Sequence, residues 1–468
     1  MLRIVLLVFL VSTYSFAQNI VSGKMDPVSE DYENVIVYQL KGAKQLYVNY
    51  AAIDKKTGDF SVEIPESFNN GMYRLMFDFE NTGYVDFLYS KKSIQFNFDP
   101  TFPSGTTKFI NSVENGSLAS YLNESVAILH NLDSLQLAFF NLKDEKIAKK
   151  TAKQFVSKKK EYLKFQSKFE SESQNNIANS FIKSYKKEYP EKPIKTPQEY
   201  LNFLDKHYFD NINFNDKVLI NSSFLSERVV EYVFYLNSSD DIHVQSVLFK
   251  NSVNNVMKLI TDNNAKSDVL VSLLYAFANE ENFRMLDFCI DNYYNKLPAE
   301  LISQKVIEDV QSKVKLAIGK TAPDFSFEQE GKLVKLSDLK GAKKYVLVFW
   351  STTCSHCLKE VPELYTYIKD NKNVEVIAIS LEKDELGFNH HTEKFTKWTN
   401  VLALEKWTNP IARMYEIHST PTYFILDSYK TIISKPEHFL DLKMYLNENK
   451  TESEKGVIEK DELLLNAK

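Results

Sequence analysis

Two cysteines separated by two residues follow closely on a strongly apolar run, and this arrangement most constrains how the chain can fold. Residues 345–350 are apolar, β-branched or aromatic without interruption, which predicts a strand covered on both faces. After Cys354 and Cys357, apolar residues recur at helical spacing. They are Leu358, Val361, Leu364, Tyr365 and Ile368. The pattern therefore places both cysteines at the N-terminus of a helix.

That position favours reactive sulfur. The first turn of a helix attracts an anion, because its N–H groups lack partners and the helix dipole adds about half a positive charge. A thiolate is such an anion, and Cys-x-x-Cys motifs at helix N-termini lower the thiol pKa from about 8.5 to roughly 3.5–7.5. We expect Cys354 to be the attacking nucleophile and Cys357 to resolve the mixed disulfide by intramolecular attack.

Length and composition indicate a globular protein of several domains. The chain has 468 residues, 44% of them apolar and 25% charged, and a formal charge of -5. We expect three folded domains and no nucleic acid partner. Only Cys289, Cys354 and Cys357 are cysteines, too few for a fold held by disulfides, so we expect the close pair to be reactive. Cys289 is predicted to be a buried, inert thiol on the apolar face of a helix.

The N-terminus predicts export. Residues 1–17 carry Arg3, an apolar segment at 4–11 and a small-residue site ending at Ala17, the order found in secretory signal peptides. A buried N-terminal strand or helix is the alternative. No later run reaches the ~18 apolar residues of a membrane helix. We expect an exported protein, most simply periplasmic, without a transmembrane segment after signal cleavage and without a lipid anchor.

The remaining chain shows three patterns and a tail. Residues 18–110 contain short alternating runs bounded by turn residues, which predict an antiparallel β-sandwich. Residues 111–316 have helical spacing and predict an all-α domain, in which the Lys-rich segment 146–168 is the solvated face of a long helix rather than a basic patch. Residues 317–448 alternate strands and helices, which predicts an α/β domain with a mixed sheet. Residues 449–468 are predicted to be a frayed, charged tail.

Several motifs in residues 317–448 occur together. They are Ala-Pro-Asp-Phe at 322–325, Phe349-Trp350, Cys354-x-x-Cys357, Lys359-Glu360-x-Pro362 and Thr420-Pro421-Thr422. In this combination the region resembles the thioredoxin-fold domains of TlpA/ResA-type thiol-disulfide oxidoreductases of the bacterial envelope. Envelope proteins with a similar three-part layout are known, but the likeness of residues 18–316 is looser and implies no activity.

The resemblance implies roles for individual residues. Pro421 is expected to follow a cis peptide bond and to face the cysteines, with Thr420, Pro421 and Trp350 contacting substrate. Glu360 is expected to point inward and to exchange a proton with Cys357, although a surface glutamate is the competing interpretation. No cofactor is implied beyond the redox-active Cys354-Cys357 disulfide, and the implied partners are a protein dithiol or disulfide and an electron donor or acceptor.

His356 departs from the TlpA/ResA pattern. A histidine before the second cysteine is typical of disulfide-forming oxidases and isomerases, where it stabilises the thiolate of the first cysteine and makes the disulfide more oxidising. The direction of electron flow therefore stays open, with reduction of the partner as the leading interpretation.

Three other functions are compatible with parts of this pattern. A zinc site needs a full tetrahedral ligand set, whereas Cys289 lies far off in the sequence and His390 and His391 would diverge on a helix, so we expect no metal. A peroxiredoxin-like peroxidase shares the opening motif, but Leu347 occupies the position of its expected proline. The third alternative is an envelope binding or assembly protein. In such a protein residues 18–316 would carry the function, and the thioredoxin domain would regulate or tether them.

Overall fold

The computed structural model describes residues 19–79, 83–140, 142–329 and 331–448. The predicted signal peptide and the predicted charged tail lie outside the described residues. The chain forms two compact units, one of residues up to 276 with 284–303, the other of residues 277–283 with 304 onward. The predicted β-rich and helical domains thus share one unit. The second begins before the predicted boundary at 317, and Leu316 already belongs to its core.

The first unit opens with two four-stranded sheets, ordered β4-β1-β7-β8 and β3-β2-β5-β6. The strands are β1 Asn19–Met25, β2 Asn34–Lys41, β3 Lys44–Ala52, β4 Asp59–Ile64, β5 Gly71–Asp78, β6 Gly83–Tyr89, β7 Ile94–Phe98 and β8 Lys108–Phe109. The prediction of purely antiparallel pairing is wrong for β1 and β7, which run parallel. Buried residues of both sheets form one hydrophobic cluster, and the description as a sandwich stays a prediction.

The central region of the first unit is helical, as the spacing of apolar residues predicts, whereas a separate all-α domain stays a prediction. They are α1 Pro103–Thr106, α2 Val113–Phe140, α3 Glu145–Glu172, α4 Ala178–Ser184, α5 Pro197–His207, α6 Lys217–Ile220, α7 Phe224–Glu231, α8 Ile242–Leu259, α9 Asn263–Asn279 and α10 Phe283–Asn292, the last two with a few residues assigned to the second unit. The Lys-rich helix α3 buries Phe155, Tyr162 and Phe169, which confirms the amphipathic interpretation. Among the described residues no helix is long and apolar enough to cross a membrane.

Cys289 lies on helix α10 and is fully buried. Loss of solvent raises the pKa of its thiol to about 12, because the charged thiolate is disfavoured in an apolar environment. The predicted burial of Cys289 is confirmed, and its inertness stays a prediction.

The second unit is a mixed sheet with helices on both faces, ordered β13-β12-β11-β14-β15. Its elements are α11 Gln304–Val314, β9 Ser326–Gln329, β10 Lys332–Lys335, β11 Lys344–Trp350, α12 Ser355–Ile368, β12 Val374–Glu382, α13 Phe388–Thr392, β13 Thr399–Leu404, α14 Pro410–Met414, β14 Thr422–Asp427, β15 Ile432–Ser434 and α15 Phe439–Glu448. Strand β11 pairs in parallel with β12 and antiparallel with β14. This is a thioredoxin-like fold, in agreement with the predicted α/β domain.

Strand β11 is buried on both faces, which explains its uninterrupted apolar sequence. Leu347 and Phe349 belong to the core on one face of the sheet. Val346, Val348 and Trp350 belong to the core on the other face, which also contains residues of α12 and α15. Packing on both faces therefore fixes the position of the strand, and with it the point at which the cysteine motif begins.

Replacing Leu347 by alanine tests this central packing. Leu347 is fully buried, so L347A should lower the free energy of unfolding by about 2–5 kcal/mol, through lost apolar burial and the cavity left behind. Leu333 on β10 is 79% exposed, and L333A should change stability by less than about 0.5 kcal/mol. Denaturant unfolding measures both. Equal losses in the two variants would contradict the assignment of Leu347 to the core.

Candidate active site

The cysteine motif lies where β11 gives way to α12. Cys354 is the N-cap residue of α12, with an extended backbone (φ −97°, ψ 116°), and its Sγ accepts a hydrogen bond from the N–H of Cys357 at 3.2 Å. The carbonyl of Cys354 accepts the N–H of Leu358 at 3.0 Å, which starts the helix. The predicted position at the helix N-terminus is confirmed, and the sulfur occupies the place where a capping oxygen normally satisfies a free N–H.

The two sulfurs have different environments. Both thiols are free in this structure, Cys354 partly exposed and Cys357 fully buried. Burial acts to raise the pKa of Cys354. Hydrogen bonds from the Cys357 thiol, from the N–H groups of Cys357 and His356 and from the side chain of Thr420 outweigh it, so this pKa lies below its ordinary value. Burial, followed by the hydrogen bond with Cys354, raises the pKa of Cys357 to about 12. This contrast agrees with the expected roles, in which Cys354 attacks and Cys357 resolves, and the roles themselves stay predictions.

A proline loop lies against the outer sulfur. The Thr420-Pro421 peptide bond is cis, as the resemblance implies. The Cys354 thiol donates to the carbonyl oxygen of Thr420 at 3.4 Å. The loop leads directly into β14, which pairs with β11. The structure thus brings Cys354, Thr420 and Pro421 together, although the expected substrate contacts of the loop stay a prediction.

Glu360 points inward, and its nearest partner is a residue that the sequence did not single out. Its Oε2 accepts a hydrogen bond from the hydroxyl of Tyr423 at 3.0 Å and from the N–H of Phe439 at 3.3 Å. Tyr423 is fully buried on β14, and burial, then the charge of Glu360, then the two cysteines raise its pKa above the ordinary 10.0. Tyr423 thus lies within electrostatic reach of both Glu360 and the sulfurs. Proton exchange between Glu360 and Cys357 stays a prediction.

The other two predicted site residues are Trp350 and His356. Trp350 is 1% exposed, and its ring packs edge-on against Phe395 at 5.9 Å between centroids. Trp350 is thus a core residue at the end of β11, and the expected substrate contact stays a prediction. His356 is exposed in the first turn of α12, and its side-chain role stays a prediction.

Glu382 is a site residue that sequence reasoning missed. It ends β12, is 2% exposed, and its Oε1 accepts the N–H of Thr352 and the hydroxyl of Ser380, each at 2.6 Å. Its Oε2 accepts the hydroxyl of Ser351 at 3.3 Å. Its position in the sequence could have identified it. A charged residue that ends an apolar strand lies at the carboxyl edge of a parallel pair, where ligands bind in α/β folds.

The residues considered for a metal site do not gather. His390 and His391 are adjacent on α13, with their rings perpendicular, and Cys289 belongs to the first unit. Within the part of the chain that the structure describes, no group of three His, Cys, Asp or Glu side chains could hold a metal ion.

Comparison with known proteins points to the same region. The model of the AhpC/TSA family matches residues 318–435, about a quarter of the chain. The thiol-disulfide oxidoreductase ResA of Bacillus cereus is 37% identical over 127 residues, which cover 26% of this chain and 71% of that protein. ResA of Geobacillus thermodenitrificans is 31% identical over 141 residues, 29% of this chain and 79% of that protein.

Solved structures are similar over the same part or somewhat more. The thioredoxin domain of a thiol-disulfide oxidoreductase from Bacteroides vulgatus is 27% identical and covers 29% of this chain and 98% of that chain, with a TM-score of 0.26. A thioredoxin-like protein from Bacteroides caccae is 18% identical and covers 56% of this chain and 96% of that chain, with a TM-score of 0.28.

The different pKa values of the two thiols predict stepwise alkylation of the reduced protein. Only the thiolate reacts, and its fraction grows as the pH rises through the pKa. Because the pKa of Cys354 is lowered, iodoacetamide should modify it half-maximally below pH 9.0, whereas Cys357 should stay unmodified until the pH approaches 12. Peptide mass spectrometry after timed reaction at each pH measures this. Equal modification of both cysteines at one pH would contradict the asymmetry.

The hydroxyl of Tyr423 can be tested against a matched tyrosine. Tyr415 is also fully buried, and its hydroxyl donates to the carbonyl of Pro323 at 2.6 Å, in the core on the opposite face of the sheet. Y423F and Y415F should each lose about 1–3 kcal/mol of stability, because each leaves an acceptor short of a partner.

Y423F alone should slow the step in which Cys357 resolves a mixed disulfide, by roughly 10- to 100-fold, because Glu360 loses the donor that orients it. Stopped-flow release of a thiol reporter measures that step. If Y415F slowed it equally, or Y423F not at all, a role of the Tyr423 hydroxyl in the reaction would be refuted.

Proposed function

This chain belongs to the ResA family of thiol-disulfide oxidoreductases, and we propose that it exchanges disulfides with protein partners through its Cys-Ser-His-Cys motif, mainly as a reductase. The observation that carries the proposal is the contrast between the sulfurs. Cys354 is accessible and has a lowered thiol pKa, whereas Cys357 is buried and has a raised one. A dithiol reductant needs an exposed thiolate to attack and an inner thiol held back for the second step.

The proposed reaction has two steps. The Cys354 thiolate attacks one sulfur of the partner disulfide, forming a mixed disulfide and releasing the other partner sulfur as a thiolate. Cys357 then loses its proton and attacks Cys354, so that the Cys354-Cys357 disulfide forms and the second partner thiolate leaves. Two electrons pass from the cysteine pair to the partner, and an external dithiol must return them for the next cycle.

The surrounding residues support these steps. The backbone of Thr420, next to the Cys354 sulfur, offers pairing groups to an extended segment of the partner. Glu360 takes up the proton that Cys357 must lose, and Tyr423 keeps its carboxylate facing inward.

We also propose that the protein works outside the cytoplasm, in a periplasm. The support is the arrangement of charge, apolar core and small residues in positions 1–17. An exported compartment is where protein disulfides persist and need exchange. Fractionation of cells, with N-terminal sequencing of the mature chain, tests this location.

A redox titration of the cysteine pair against glutathione tests both exchange and its direction. We expect a reduction potential near that of thioredoxin, roughly −270 mV, whereas a value near roughly −120 mV would indicate an oxidase tuned by His356. C357S should accumulate a mixed disulfide with a model protein substrate, because the resolving thiol is gone. C289S is the matched control, since Cys289 is fully buried outside the site, and should titrate like the natural protein.

Two results would overturn the proposal. A cysteine pair that neither equilibrates with glutathione nor forms a mixed disulfide in C357S would exclude thiol-disulfide exchange. Peroxide-dependent turnover without any protein disulfide substrate would instead indicate a peroxidase.

A further inference from the structure

The turn that joins β11 to the cysteine motif rests on one buried carboxylate. Residues 351–353 belong to neither the strand nor the helix. The N–H of Thr352 and the hydroxyl of Ser351 both donate to Glu382, which also binds the hydroxyl of Ser380 beside it on β12. Glu382, Ser351 and Ser380 are each at least 95% buried, so water does not replace these contacts. The conformation of the turn therefore depends on Glu382.

The same turn contacts both sulfur-bearing residues. The N–H of Cys354 donates to the carbonyl of Ser351 at 3.2 Å, which sets the N-cap residue in place. The backbone of Ser351 also makes a hydrogen bond that favours the charged form of the Cys357 sulfur. Any change in the turn thus reaches the outer and the inner cysteine together.

A second contact holds the turn from the solvent side. The Nζ of Lys406 donates to the hydroxyl of Thr353 at 3.0 Å, and that hydroxyl lies 3.0 Å from the Ser351 hydroxyl. Lys406 is partly exposed, so this contact is open to water and weaker than the buried one. Charged and titratable groups around the motif include Glu382 beneath the turn, Lys406 outside it, His356, Lys359 and Glu360 on α12, and Tyr423 on β14.

We propose that Glu382 is a positioning residue for thiol-disulfide exchange, which keeps Cys354 at the helix N-cap by fixing the turn 351–353. It touches neither sulfur and acts through the backbone of the turn. The inference rests on the proposed exchange at the cysteine pair, and it goes beyond it by assigning a role to a residue outside the Cys-x-x-Cys and proline motifs.

The test compares E382A and E382Q in the full chain with E375Q as the matched control. Glu375 lies on the same strand, near its opposite end, and is partly buried, whereas Glu382 is almost fully buried. Alkylation of Cys354 across the pH range and the equilibrium constant with glutathione are measured for each variant. Circular dichroism confirms that each variant is folded.

Loss of positioning should let the pKa of Cys354 rise towards its ordinary value. E382A should therefore slow alkylation of Cys354 at neutral pH by about tenfold, since each unit of increase lowers the thiolate fraction about tenfold. E382Q keeps one acceptor oxygen for the N–H of Thr352, so it should slow the reaction measurably but less than E382A. E375Q should match the natural protein.

Other outcomes would overturn the inference. If Glu382 acted on Cys354 only through its negative charge, its removal would lower the pKa of Cys354 equally in E382A and E382Q. Alkylation would then become faster in both variants. No change in either variant, or an equal change in E375Q, would show that Glu382 has only a structural role. If E382A does not fold, E382Q decides, because unchanged or faster alkylation in that variant contradicts positioning. Failure of the unmodified protein to equilibrate with glutathione would refute the proposed function instead.

Discussion

The hydrogen bond from the Cys357 N–H to the Cys354 sulfur, at 3.2 Å, is the contact on which the rest of the site depends. It forms only if the backbone of Cys354 is extended while Cys357 already lies in the helix. That requirement fixes the direction in which α12 leaves the sheet, and the doubly buried strand β11 holds the starting point. The same geometry leaves one sulfur at the surface and turns the other into the core. Different reactivity of two identical side chains follows from their positions three residues apart.

Two carboxylates approach this pair from different elements, and each is held by protein donors rather than by sulfur. Glu360 binds Tyr423 and the backbone of α15, whereas Glu382 binds the turn and its own strand. A carboxylate directly against Cys354 would disfavour its thiolate. Both carboxylates are instead bound by neutral donors near the motif. Glu360 faces the side of α12 that carries Cys357, and Glu382 lies beneath the turn.

Features carried by local sequence patterns were predictable, whereas features made by tertiary contacts were not. The uninterrupted run before Trp350 and the spacing after Cys357 predicted β11 and α12, and therefore the placement of both sulfurs. The burial of Trp350 is a property of packing against Phe395, which lies far away in the sequence.

Glu382 and Tyr423 escaped prediction for the same reason. Each lies on a strand whose apolar pattern predicted the strand correctly, and nothing in that pattern shows which polar group meets the end of a neighbouring element. The parallel pairing of β1 with β7 was likewise hidden, because alternation along a strand predicts a buried face but not the direction of the neighbour.

The burial of Cys289 and Cys357 also has a practical consequence. With those two thiols shielded, the reduced natural chain presents a single addressable sulfur at neutral pH. A fluorophore, a spin label or an affinity resin can therefore be attached at Cys354 without engineering a cysteine-free background, so distances and dynamics at the catalytic end can be recorded on the unaltered polypeptide.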